Sequence, residues 1–219
     1  MIDLLTTAAV PDFVREAQSI LRDPSNFSWT MVTLLGLVIY VYAVEVGRGR
    51  WDIVLAGIAF LMMDAFNEMV NSAIFHLTDR APLWTVTGDT SYLILIGLSI
   101  EIVLLFAISG VAFVKQLPED PKQKILGMPN RFALVAFFSI FCVLVEIVLV
   151  ELGIFHWDYW WWNKPFIPLI VIFGYGTFFA VAAWVYDMGK NTSKQVKVVG
   201  VMAATNLVLG LALGLVGWL

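Results

Sequence analysis

Six long apolar stretches run through this chain, at residues 29–46, 52–76, 91–114, 132–155, 166–187 and 196–218. An α-helix needs about 20 mainly apolar residues to cross a bilayer. In hydrocarbon the backbone must satisfy its own hydrogen bonds, so each stretch is expected to be a helix. The expected fold class is all-α, a polytopic transmembrane helical bundle of about six spans. The 219 residues are 60% hydrophobic and 14% charged, against roughly 25% charged in an ordinary soluble domain. Residues 29–219 therefore read as one bundle domain. Residues 1–28, with Pro11, Asp12, Arg15 and Glu16, read as an amphipathic interfacial segment rather than a cleavable signal peptide.

Charge placement predicts orientation. Arg48, Arg50, Lys115, Lys122, Lys124, Arg131, Lys190, Lys194 and Lys197 fall on one side of the expected bundle, and Arg15, Arg22, Arg80 and Lys164 on the other. By the positive-inside rule both termini are non-cytoplasmic. Trp84 and the Trp157, Trp160, Trp161, Trp162 cluster fall on the less basic side. They read as interfacial anchors, or as the wall of a lipid-entry groove. The net charge of −4 is spread out and gives no nucleic-acid footprint. The single cysteine, Cys142, excludes an internal disulfide. Small-residue pairs in the last span, Gly200/Ala204 and Gly210/Gly214, permit close helix approach. This leaves a homo-oligomer, or a partner in a larger membrane complex, open.

The polar residues inside these spans carry the functional argument. Asp64, Asn67, Glu68 and Asn71 fall within a sector of about 100° on the second span, as a stripe about 10 Å long. Such a stripe must face the bundle interior or a wet cavity. One reading is an interhelical hydrogen-bond clamp. The other is a functional site, favoured because two carboxyls are costly where Asn or Ser would clamp as well. Glu101 stands alone in the third span and is expected to pair with that stripe. Glu146 and Glu151 in the fourth span point about 140° apart, and the deeper Glu146 is expected to face the site. Glu151 is expected near water or beside His156. His76 and His156 end the second and fourth spans in a short echo, Ile74-Phe75-His76 and Ile154-Phe155-His156. They read as hydrogen-bonded interfacial side chains, or as a proton relay at the mouth of a cavity. Glu45 and Asp187 read as solvated charges beside Arg48 and Lys190.

These residues favour metal-free acid–base chemistry on a lipid. The Glu-x-x-His pairs of di-metal bundles do not occur, and two histidines are few for a zinc site. No cofactor is expected. Buried carboxyls in different surroundings divide acid from base. The 16 Phe, 9 Trp and 6 Tyr offer ring faces that stabilise cations.

The second span, Asp64-Ala-Phe-Asn67-Glu68-Met-Val-Asn71-Ser-Ala-Ile-Phe, resembles the second-helix pattern of the small integral-membrane terpene cyclases of meroterpenoid pathways. In that family an Asn, a Trp-Glu pair and an aromatic-rich helix end carry the catalytic acid, and Glu68 matches that Glu. Asn67 stands where the family has Trp, and Asp64 where it has Asn. The last span lacks the family's second acid, and the family has seven spans. In architecture the chain also resembles the emopamil-binding sterol isomerases. Both resemblances imply proton chemistry on a hydrophobic isoprenoid or sterol-like small molecule drawn from membrane lipids. The expected catalytic set is Asp64, Glu68, Glu101 and Glu146. Asn67, Asn71, His76, Glu151, His156 and Trp157 are expected to bind substrate or orient the acid. The alternatives are a proton-coupled transporter or channel, or a non-catalytic subunit of a membrane complex.

Overall fold

The computed structural model describes residues 9–88, 90–189 and 191–219. Lys190 of the charge tally and residues 1–8 of the N-terminal segment lie outside them. Among the described residues there are seven helices: α1 (Asp12–Ile20), α2 (Trp29–Gly47), α3 (Trp51–Thr78), α4 (Ile100–Val114), α5 (Asn130–Glu151), α6 (Lys164–Tyr186) and α7 (Thr192–Leu215). Five of them, α2, α3, α5, α6 and α7, are long and apolar enough to cross a membrane.

The third apolar stretch is not helical throughout. Its first part folds as a hairpin of β2 (Leu93–Leu95) and β3 (Leu98–Ser99), and α4 starts only at Ile100. Hydropathy is blind to this break. The Ser99 side chain accepts from the Ile102 N–H and caps α4 there. The Glu101 carboxylate accepts from the Ser91 N–H at 2.8 Å and the Thr90 hydroxyl at 2.6 Å, tying the preceding loop to the first turn. An acid in the first turn also suits the helix dipole.

The 28-residue α3 is the axis of the bundle, packed against α2, α4, α6 and α7. It meets α4 where Gly57 faces Gly110: a Cβ on Gly110 would stand 2.8 Å from Phe60 Cβ and 3.0 Å from the Gly57 carbonyl oxygen. The close crossing expected of small residues thus lies here. Gly200 and Gly36 face open space. In contrast to α3, α2 and α7 have few fully buried residues.

Helix α1 and the C-terminal Trp218 share one end of the bundle. The Ser72 hydroxyl donates to the Trp218 carbonyl at 2.7 Å, and α1 lies over the segment after α3. Asp12 opens α1 after Pro11, and Val14 and Ala17 are fully buried beneath it. The Arg22 N–H donates to the Leu93 carbonyl at 2.9 Å, so the chain after α1 is strapped to the hairpin. Asp23 then caps a single turn, Pro24–Asn26; hydrogen bonds from Ser25 hold its carboxyl below the ordinary value. β1 (Thr85–Val86) pairs with β6 (Phe155–His156), joining the segments after α3 and α5.

The opposite end carries ion pairs between helices. Glu45 is buried rather than solvated; Lys115 Nζ donates to it at 2.5 Å and Arg48 stands 3.6 Å away. Asp187 pairs with Arg131 at 2.7 Å, joining α6 to α5. The link between α4 and α5 is a hairpin of β4 (Lys124–Ile125) and β5 (Met128–Pro129). Leu126 and Gly127 both take positive φ at its two-residue turn, where such backbone matches the strand twist.

Candidate functional site

The stripe on α3 is buried along its whole length, but its four residues do different things. Asn67 Nδ2 donates to the Thr177 hydroxyl at 3.2 Å and binds α3 to α6. Asn71 clasps the segment after α3. Its Oδ1 accepts from the Leu83 N–H at 2.7 Å and the Trp84 N–H at 3.2 Å, and its Nδ2 donates to the Trp84 carbonyl at 2.9 Å. The two amides are therefore clamps. The two acids, Asp64 and Glu68, line a cavity of about 410 Å³. This lies within the roughly 300–1,000 Å³ of ligand pockets.

Glu146 enters the same cavity from α5. Each glutamate is held by an indole. Trp84 Nε1 donates to Glu68 Oε1 at 2.8 Å, and Trp157 Nε1 donates to Glu146 Oε1 at 3.4 Å. Both glutamates keep their second oxygen buried and without a partner, as does Asp64. The indole N–H of Trp162, another wall residue, is also unpartnered. A buried polar atom left unpaired costs about 1–3 kcal/mol, and native structures hold few of them. Four around one cavity mark a place built to meet a polar or reacting group.

The remaining wall is apolar and aromatic, and neither Lys nor Arg lines it. Trp84 and Trp162 lie 5.9 Å apart, and Phe106 stands 6.2 Å from Tyr175 and 5.8 Å from Phe178. Tyr175 closes a π-helical stretch of α6, Ile170–Tyr175. Such insertions are frequent at functional sites; this one brings Ile170, Gly174 and Tyr175 to the cavity. Leu105 of α4 and Phe141 and Val145 of α5 line the cavity and are also exposed on the outside of the bundle. The cavity therefore reaches the lipid-facing surface between α4 and α5.

The other expected site residues lie elsewhere. Glu101 does not meet the α3 stripe; it lines a second cavity of about 550 Å³ at the end carrying α1. His76 stacks on Trp218, with ring centres 5.8 Å apart. His156 stacks on Phe13 at 4.6 Å and bonds the Thr87 hydroxyl at 2.9 Å. Glu151 pairs with Lys164, not with His156. Trp157 and Trp162 are buried rather than interfacial, while Trp160 is exposed. Tyr175 and Phe106 are wall residues that sequence reasoning missed; for Trp84 and Trp162 it offers the wall of a groove as an alternative, but not the bond from Trp84 to Glu68. The available signal is that a buried indole N–H needs an acceptor, and intramembrane carboxylates are acceptors.

Among the described residues no three His, Cys, Asp or Glu side chains are grouped so as to hold a metal ion.

A protein of Archaeoglobus fulgidus described as "Uncharacterized protein" is 47% identical over 204 residues, spanning 93% of this chain and 97% of its own. No solved structure matches the chain. Residues 11–214 match the model of a family described as "Uncharacterized membrane protein family". Neither description names a terpene cyclase. By that match, and by its apolar helices, the chain belongs to this membrane-protein family and is a multi-pass integral membrane protein.

Proposed function

We propose that this protein is an integral-membrane enzyme that moves protons on a hydrophobic isoprenoid or sterol-like lipid, isomerising, cyclising or hydrating it without a metal. The observation that carries this reading is the convergence of Asp64, Glu68 and Glu146, each with an unpartnered buried oxygen, on one aromatic-walled cavity. A clamp needs no free oxygens. A proton donor and acceptor do.

In the isomerisation form, Glu68 or Asp64 in its acid form gives its proton to one alkene carbon. The π pair becomes the new C–H bond, and the neighbouring carbon becomes cationic. The ring faces of Trp84, Trp162 and Phe106 stabilise that cation. Glu146, ionised, removes a proton from the next carbon, and the released pair forms the shifted double bond. The net change on the protein is one proton moved from α3 to α5. In cyclisation a second alkene attacks the cation before that loss; in hydration water does. Lipid enters from the bilayer between α4 and α5, and the basic end of the bundle faces the cytoplasm.

Deuterium uptake tests this. The protein in lipid nanodiscs is incubated in D2O with a C20 polyene, and the recovered lipid is analysed for carbon-bound deuterium. Wild type is expected to incorporate it. The Asp64→Asn/Glu68→Gln double variant and Glu146→Gln are each expected to lose at least about 100-fold in rate, the scale of general acid–base catalysis. Full incorporation by both variants would overturn the assignment.

A further inference from the structure

The cavity that holds the carboxyls adjoins the one that holds Glu101. Ile102, Leu149 and Phe155 line both, so these three side chains form the partition between them. The two spaces differ in character. The first is mainly apolar and aromatic around its acids. The second sets Ser28, Thr87, Thr90, Ser91 and Glu101 against an apolar side that includes Phe27, Val86 and Ile154. It lies at the end carrying α1, at the starts of α2 and α4. A chamber with one polar side at the end of a bundle, adjoining a more apolar one inside it, has the layout of an amphiphile.

The chemistry of the outer chamber selects the headgroup. Among the described residues Glu101 is the only ionisable side chain lining it. Its oxygens already accept from Thr90 and Ser91, and a carboxylate has about four lone-pair sites in all, so acceptor capacity remains. A phosphate or diphosphate head would meet a carboxylate and no cation. A hydroxyl both donates to the carboxylate and accepts from the neighbouring Ser and Thr.

We infer that the two cavities form one binding site for a hydroxyl-headed isoprenoid amphiphile, with its alcohol at Glu101 and its chain passing Ile102, Leu149 and Phe155 to the carboxyls. This rests on the proposed function for the reaction but not for binding. Glu101 becomes a substrate-binding residue that selects neutral alcohols over phosphorylated lipids. The double bond that reacts lies along the chain, remote from the head.

The test is equilibrium binding to the full chain in phosphatidylcholine nanodiscs. Three probes share a C20 isoprenoid chain: the alcohol, its monophosphate and the hydrocarbon. Wild type is expected to bind the alcohol roughly 10-fold more tightly than either of the others, the worth of one charge-assisted hydrogen bond. Glu101→Gln is expected to narrow the alcohol-to-phosphate ratio and leave hydrocarbon affinity unchanged. Leu149→Trp, which fills the partition without touching Glu101, is expected to weaken alcohol binding. The inference is overturned if the monophosphate binds wild type as well as the alcohol does, or if Glu101→Gln leaves their ratio unchanged. Alcohol binding without deuterium uptake would overturn the catalytic reading alone. Deuterium uptake without alcohol preference would overturn the headgroup assignment alone.

Discussion

The indole Nε1 of Trp84 donates to Glu68 Oε1 at 2.8 Å, and the backbone on either side of that indole is held by Asn71, less than one helical turn beyond Glu68. One helix thus supplies both the acid and the amide that positions the acid's hydrogen-bond donor. Trp84→Phe keeps the ring and removes the N–H. The Glu68 carboxyl then loses its one side-chain donor in a buried setting, at a cost of about 1–3 kcal/mol. Thermal unfolding in nanodiscs is expected to show that loss, and deuterium uptake is expected to fall with it. Unchanged stability and uptake would mean that the indole does not hold the acid.

Gly97 makes room for this arrangement. A Cβ there would stand 2.5 Å from Trp84 Cδ1 and 2.6 Å from Asn71 Nδ2. Neither group can swing away, since both are tied. Gly97→Ala is expected to destabilise by about 1–3 kcal/mol, as overpacking does. Gly36→Ala in α2 is the opposite case, because nothing lies within 4 Å of the added carbon. It is expected to stabilise by up to about 1 kcal/mol through helix propensity. Paired melting curves check both signs.

Much of this was legible in the sequence. The apolar stretches located the helices, and the Asp64-to-Asn71 stripe was rightly expected to be buried. The division of labour in that stripe was not legible, because spacing gives direction but not partners. Asn67 and Asn71 clamp while Asp64 and Glu68 face the cavity, and only the positions of Thr177 and Trp84 decide this. Glu101 was misplaced for a related reason. Hydropathy reads residues 91–99 as span, and the hairpin there sets Glu101 at a helix start instead of mid-bundle. Sequence leaves Trp84 between belt anchor and groove wall, and the carboxylate within reach of its indole decides for the wall.

At the opposite end, Lys115 is the near partner of the buried Glu45. Lys115→Met leaves that carboxylate with Arg48 alone, at 3.6 Å. Removing one member of a buried pair costs more than removing both. Lys115 is partly exposed, so the expected loss is reduced to roughly 1–3 kcal/mol. The Glu45→Leu/Lys115→Met double variant is expected to be the more stable of the two. If the single variant is the more stable, the pair is not what holds α2 to α4.

Glu146 and Glu151 sit five residues apart on α5 and provide an internal comparison. Glu146 is buried, faces the cavity and accepts only the long bond from Trp157. Glu151 is exposed and paired with Lys164. Exposed pairs contribute about 0–1 kcal/mol, so Glu151→Gln is expected to change stability by less than about 1 kcal/mol and to leave deuterium uptake intact. Glu146→Gln is nearly isosteric and keeps an acceptor for Trp157, so the fold is expected to survive while uptake is lost. The contrast depends on the direction each side chain takes from one helix. Equal loss in both variants would show that the effect follows charge on α5 in general, and would remove Glu146 from the role of base.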